Sequence, residues 1–225
     1  MSWDNTYKKD NKVWGEKPSE LAKFASDRIK TFAHPERQTL LDVGCGYGRD
    51  SVFLHNETKI RVLGIDCSKS AIEMANTSLP TGTEDNLEFL LEDFNSATRG
   101  PFDVIFASNL YQVLMPRDRS LFSEFVRNTL KAAGVLFLGT MAAGDPEHFG
   151  KGQPVEGDPN SFRDEKYLHF SDSRELECDF GFLTIKEMRE HEFYEPRSNG
   201  ATHHHRSWLL MAQAPDAIGI NSDRG

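Results

Sequence analysis

Cysteine is scarce: three in 225 residues, Cys45, Cys67 and Cys178, far apart and odd in number. That spacing excludes a disulfide framework and a CxxC-type zinc site, and leaves reduced thiols as the reading. The chain also lacks any apolar run long enough to span a bilayer and any signal-peptide pattern at its start, so a cytoplasmic location is expected. Cations are outnumbered: 26 Lys and Arg stand against 35 Asp and Glu, a formal charge of −9. Such a balance gives no bulk attraction to phosphate backbones or anionic lipid, so neither nucleic acid nor a membrane is expected as a partner. No internal repeat is visible. What remains, 38% hydrophobic and 27% charged, is the composition of an ordinary globular protein.

The patterning reads as one α/β domain over residues 1–214, with a frayed tail over 215–225. Residues 1–38 are polar and aromatic and hold a cap helix, with Pro18 as its first residue and Leu21, Phe24, Ala25 and Ile29 at helical spacing. From Thr39 strands and helices alternate: "TLLDVG", "RDSVFLHN", "RVLGID", then "SKSAIEMANTSL" with Ser68 as its cap, "NLEFLLED" and "FDVIFASN". The helix "PRDRSLFSEFVRNTLKAAG", closed by Gly134, and the strand "VLFLGTM" bring the count to five strands. Strands alternating with helices imply a parallel sheet. Residues 141–169 are rich in Gly, Pro, Asp and His and carry no periodicity, so they read as a lid-like insertion. A short helix near "SDSRELECDFG" and two strand-like runs, "FLTIKEMREHEFYE" and "HRSWLLMAQA", follow.

The chemistry begins at "LLDVGCGYGRD". A strand that ends in a glycine turn and enters a helix lets a ligand come close to backbone N–H groups. A dinucleotide pyrophosphate prefers G-x-G-x-x-G. Here Gly44, Gly46 and Gly48 give G-x-G-x-G, and Arg49 stands where the third glycine belongs. That turn, preceded by Asp42, resembles the first motif of class I S-adenosylmethionine (SAM) dependent methyltransferases. "VLGIDCS" puts Asp66 where the family's carboxylate takes both ribose hydroxyls. "LLEDF" puts Asp93 and Phe94 at its adenine site, and "FDVIFASNLYQVL" resembles its fourth motif, whose strand end faces the methyl group. The resemblance implies a Rossmann-like fold, a seven-stranded, mostly parallel sheet of order 3-2-1-4-5-7-6 with the last strand antiparallel and helices on both faces. It also implies SAM as cofactor, contacted by Asp42, Gly44, Cys45, Gly46, Arg49, Asp66, Cys67, Asp93, Phe94 and Asn109. "VWGEKPSEL" resembles the opening segment of the thiopurine- and tellurite-type small-molecule methyltransferases, which adds Trp14 to the cofactor side. Trp3, Tyr7 and Trp14 either cover the cofactor or anchor the cap helix.

The implied reaction is in-line methyl transfer to a small molecule, by a monomer or homodimer. The alternatives are a SAM-binding regulator without catalysis and an NAD-dependent oxidoreductase, which Asp66 would serve equally well. Where the family often has a histidine after the fourth strand, this chain has Val113, so Tyr111 is the nearest candidate on the acceptor side. The second candidate is "ATHHHRSW". On a strand His203 and His205 share one face and His204 takes the other. If that strand is antiparallel, its start lies at the reactive edge, where two imidazoles orient an acceptor or take its proton. A metal would need help from Glu195 or His169; two assured ligands are too few, and none is assigned. A solvated hairpin turn is the plain alternative.

Overall fold

The computed structural model describes residues 3–9, 15–79, 82–83, 85–97, 99–196 and 202–216, with 195 and 196 as backbone only. Five strands run in parallel: β1 (Thr39–Val43), β2 (Arg61–Asp66), β3 (Leu87–Leu91), β4 (Phe102–Ser108) and β5 (Leu130–Met141). Three short strands, β6 (Gln153–Pro154), β7 (Ser161–Arg163) and β8 (Tyr167–His169), form a separate antiparallel sheet. The chain then returns through β9 (Thr184–Pro196) and β10 (Thr202–Gln213). The large sheet has the order β3-β2-β1-β4-β5-β10-β9, with β10 antiparallel to both neighbours. Among its seven strands this is the expected 3-2-1-4-5-7-6 arrangement.

Helices cover both faces because the central strands carry apolar residues on both faces rather than on one. Leu40, Val104, Phe106 and Phe137 face α2 (Glu20–Ile29), α3 (Arg49–Thr58) and α4 (Lys69–Thr77), where Leu21, Phe24, Ile29, Leu54 and Ile72 are buried. Leu41, Ile105, Leu136 and Leu138 face α5 (Pro116–Thr129) and α6 (Ser173–Asp179), through Phe122, Val126, Leu176 and Phe180. The cap α1 (Trp3–Lys9) sits beside α4. Asp4 accepts from the Ser70 N–H at 2.9 Å and from the Ser68 hydroxyl at 3.1 Å, adding to the cap that Ser68 itself gives to Ala71.

Three boundaries differ from the sequence reading. The helix expected to start at Pro18 starts at Glu20, because the Ser19 hydroxyl accepts from the Ala22 N–H and caps it. The helix expected to reach Gly134 stops at Thr129, and Leu130 already pairs with Phe102 in β5. The left-handed residue there is Ala133, φ 57°. Gly134 is needed instead for a close approach, since a Cβ on it would lie 2.8 Å from the Lys131 carbonyl oxygen. The stretch 141–169, expected as an aperiodic lid, carries the three-stranded sheet, with Asp158, Ser161, Tyr167 and His169 buried inside it. Most of the expected tail 215–225 lies outside the described residues.

Candidate active site

The turn after β1 reverses through Gly44, Gly46 and Gly48, at φ 74°, 55° and 77°. A Cβ on Gly46 would lie 2.7 Å from the Tyr7 hydroxyl and one on Gly48 2.4 Å from the Phe89 ring, so both positions require glycine for space as well as for backbone. The turn's amides, expected to face a ligand, are bonded within the protein. Gly44 and Cys45 donate to the Ile65 carbonyl at 2.8 and 3.0 Å, Gly46 to Asp66 Oδ2 at 2.9 Å, and Gly48 to the Cys45 carbonyl at 3.0 Å. A pyrophosphate cradle needs such groups aimed outward. This turn is a floor shaped by absent side chains, not an anion nest.

Above it lies a cleft of about 360 Å³. Asp42, Gly44, Cys45, Gly46, Arg49, Asp66, Cys67, Asp93, Phe94 and Asn109 all line it. Trp14 lies outside the described residues. Asp66, at the end of β2, accepts one backbone N–H on each oxygen, from Gly46 at 2.9 Å and from Ser68 at 2.8 Å. A carboxylate has about four acceptor positions, so two remain for the hydroxyls of a ribose. Burial raises its pKa against those two hydrogen bonds. Asp42 is more deeply placed, 2% exposed, and accepts from the Ser51 hydroxyl at 2.5 Å. Burial, opposed by that hydrogen bond and reinforced by nearby Asp50 and Asp66, pushes its carboxyl to about 8. Arg49 forms a two-point ion pair with Asp50, 3.0 and 3.2 Å, while both side chains still line the cleft. The wall also includes Trp3 and Tyr7 from α1 and Leu110 and Val113 after β4.

Sequence reasoning missed Tyr47, Leu110 and Asp118 in this lining. Leu110 had a readable trace only in hindsight: its side chain comes within 3.1 Å of where a Cβ on Gly44 would be. Asp118 sits in the first turn of α5, and nothing in its spacing marks it.

The structure puts the acceptor-side candidates elsewhere. Tyr111 is fully buried, packs against Phe122 and Phe180 and donates its hydroxyl proton to Asp179, so it is absent from the cleft wall. Burial and that carboxylate raise its pKa, which removes it as a base. His203 and His205 lie on one side of β10, beyond the end of β5, and His204 on the other, stacked on Tyr194. Neither His203 nor His205 lines the cleft. His169, named as a helper for a metal, is buried between Ser161 Oγ at 2.8 Å and Glu175 Oε2 at 2.7 Å and does not join them.

A Rossmann-like sheet of this order, with a glycine floor and an acid at the end of its second strand, defines the class I methyltransferase fold. Residues 40–134 match the family described as a methyltransferase domain. No curated protein matches the sequence. Among solved structures, a SAM-dependent methyltransferase from Methanosarcina mazei is 23% identical over 81% of this chain and 94% of its own, with a TM-score of 0.68. TehB from Haemophilus influenzae is 18% identical over 94% of this chain and 66% of its own, TM-score 0.65. The Burkholderia thailandensis 1,6-didemethyltoxoflavin-N1-methyltransferase, solved with its substrate and S-adenosylhomocysteine, is 16% identical over 94% and 85%, TM-score 0.63. The domain match and the fold are those of SAM-dependent methyltransferases. Among the described residues no helix is long and apolar enough to cross a membrane.

Proposed function

We propose that the enzyme methylates a small molecule, by in-line displacement, at an atom that arrives already ionised. One observation carries this reading. Trp3 and Val113 line both the cofactor cleft and a neighbouring cavity of about 350 Å³, which is bounded further by Met115, Arg163, Lys166 and Tyr167. That space suits a compact ligand rather than a polymer, and its walls carry two cations besides Glu165, which favours an acceptor with anionic character.

Bound SAM supplies a methyl carbon already activated by a sulfonium leaving group. In this reading Asp66 accepts the two ribose hydroxyls, Asp93 the adenine amino group, and Phe94 the adenine face. Arg49 and Asp50 meet the amino-acid end. Trp3 and Tyr7 cover the sulfonium and exclude water, and an aromatic face stabilises that cation. Besides Asp42, whose carboxyl is pushed to about 8, the cleft's acids Asp50, Asp66, Glu92, Asp93 and Asp118 face one arginine, an imbalance that suits a cationic ligand. Among the described residues lining the cleft there is no histidine or lysine, and Lys166 of the neighbouring cavity lies over the Trp3 ring, 4.9 Å from its centroid. The chain's contribution is therefore alignment, which by itself supplies much of such an acceleration. A thiolate or acidic hydroxyl fits this arrangement better than an amine.

The test is transfer from labelled SAM to thiol, acidic hydroxyl, carboxyl and amine acceptors. Labelled product is expected with the first three, which ionise without a base, and not with the amine, and Trp3→Ala should raise the acceptor KM more than the SAM KM. Binding of SAM with transfer to none of them would leave the non-catalytic regulator as the better account.

A further inference from the structure

The fold brings a third histidine to the two on β10. His148 sits in the loop after β5, and its ligating atom and those of His203 and His205 all lie within 4.8 Å of one another. His148 and His205 are stacked at 5.3 Å, and His203 lies 6.0 Å from His205 between ring centroids. None of the three lines the cofactor cleft. We propose that His148, His203 and His205 bind one divalent transition-metal ion of the zinc type, and that the ion clamps the 142–172 excursion to β10.

The surroundings are built as a metal site is built. Asp145 Oδ2 lies 3.4 Å from His205 Nδ1, and Glu147 Oε1 lies 3.6 Å from His203 Nδ1. These are ion-pair distances, and carboxylates beside ligating imidazoles are what orients such rings at metal sites. Asp145 is itself buried and fixed on both sides. Its Oδ1 accepts the N–H groups of Glu147 at 3.1 Å and His148 at 2.7 Å, and its Oδ2 accepts the Arg206 N–H at 2.7 Å. One carboxylate thus holds the loop that carries His148 against the strand that carries the other two.

Zinc–imidazole bonds of about 2.0–2.1 Å put tetrahedral ligand nitrogens roughly 3.4 Å apart. The three atoms therefore need only small rotations to close on an ion, and His148 and His203 are half-buried rather than packed solid. Three imidazoles and no thiolate favour zinc, cobalt or nickel over calcium or magnesium, which take oxygen ligands. A fourth position stays open to water. The plain alternative is a stack of imidazoles that adds aromatic packing to the hairpin through Phe193.

The two readings separate on the chelator-treated full-length chain, titrated with Zn²⁺ in competition with a chromophoric chelator. One equivalent should bind per chain and raise the melting temperature. Co²⁺ in its place should give the intense visible bands of a four-coordinate site. His148→Ala and His203→Ala should each weaken zinc about tenfold or more, with circular dichroism and urea unfolding confirming that both variants fold. His204→Ala, on the opposite side of the strand, should bind as the wild type does. Absence of stoichiometric zinc binding in the wild type, or unchanged affinity in the His148→Ala, His203→Ala double variant, overturns the proposal. Because the readout is metal binding, the result is independent of which acceptor the enzyme methylates.

Discussion

Two polar regions of this molecule are built on opposite principles. The cofactor cleft gathers six acidic side chains along with Arg49 and leaves acceptor positions open, most clearly on Asp66. The excursion between β5 and α6 gathers as many polar groups and has them satisfy one another. Arg119 donates to Asp158 at 2.6 Å and to Tyr167 at 2.7 Å and lies 3.4 Å from Glu175, while Tyr167 donates to Asp158 at 2.5 Å. Ser161, His169 and Glu175 complete the chain. Serine, histidine and glutamate in line are the members of a hydrolytic triad, yet Ser161 and His169 are each 2% exposed and Tyr167 bonds to the same serine. Buried polar groups that are fully paired hold structure; those with acceptor positions still open hold a ligand.

The largest effect should come from breaking the closed network. Arg119→Met leaves Asp158 buried without its cation and should cost about 3–5 kcal/mol in urea unfolding. Its cost should fall on stability, with S-adenosylhomocysteine affinity changed only a few-fold in the molecules that remain folded. If affinity collapses at full stability, the two regions are not separate.

Next comes Asp66→Ala, which should act in the reverse sense. Two hydrogen bonds to an ionised group are lost from the ligand, about 2–4 kcal/mol in calorimetric affinity for both SAM and its demethylated product. Asp66→Asn, which keeps an acceptor for Gly46 or Ser68, controls for damage to the turn. Wild-type affinity in Asp66→Ala, or NAD binding tighter than SAM, would falsify the assignment of this strand end.

Gly46→Ala tests the shape of the floor rather than its charge. The left-handed backbone and the 2.7 Å approach to the Tyr7 hydroxyl should together cost about 1–3 kcal/mol and displace α1 from the cleft. Tyr7→Phe in the same chain should restore part of the loss; no recovery would mean that the cap is not seated on this glycine.

The last comparison is a pH dependence. Asp42 holds its proton up to about 8 when folded, while the unfolded chain releases it near 3.8. Its contribution to stability is therefore complete below about pH 4 and is lost as pH rises toward and through 8. Asp42→Asn, which keeps a partner for Ser51, should melt above the wild type at pH 9 and level with it near pH 4. A constant difference across that range would mean that Asp42 is ionised throughout.

Residues 39–141 were largely legible in the sequence because their signals are local. A buried parallel strand needs a continuous apolar run, a helix start needs a capping hydroxyl such as Ser68, and a backbone at φ near +60° needs glycine. Each of these is written within a few residues of where it acts. The acids at successive strand ends were legible for the same reason, since parallel topology places every strand's carboxyl end at one edge.

The excursion and the histidines were not legible. Arg119 meets Asp158 across 39 residues of chain, and Asp145 binds Arg206 across 61. No periodicity records such pairings. Sequence alone determined the sheet and put Asp66 at the end of β2. Only the tertiary structure decided that Tyr111 turns into the core, that the turn's amides bond to β2, and that His148 arrives beside His203 and His205. The physical reason is range: backbone conformation is chosen by neighbours in sequence, whereas a side chain's partner is chosen by whatever packing brings within 3 or 4 Å.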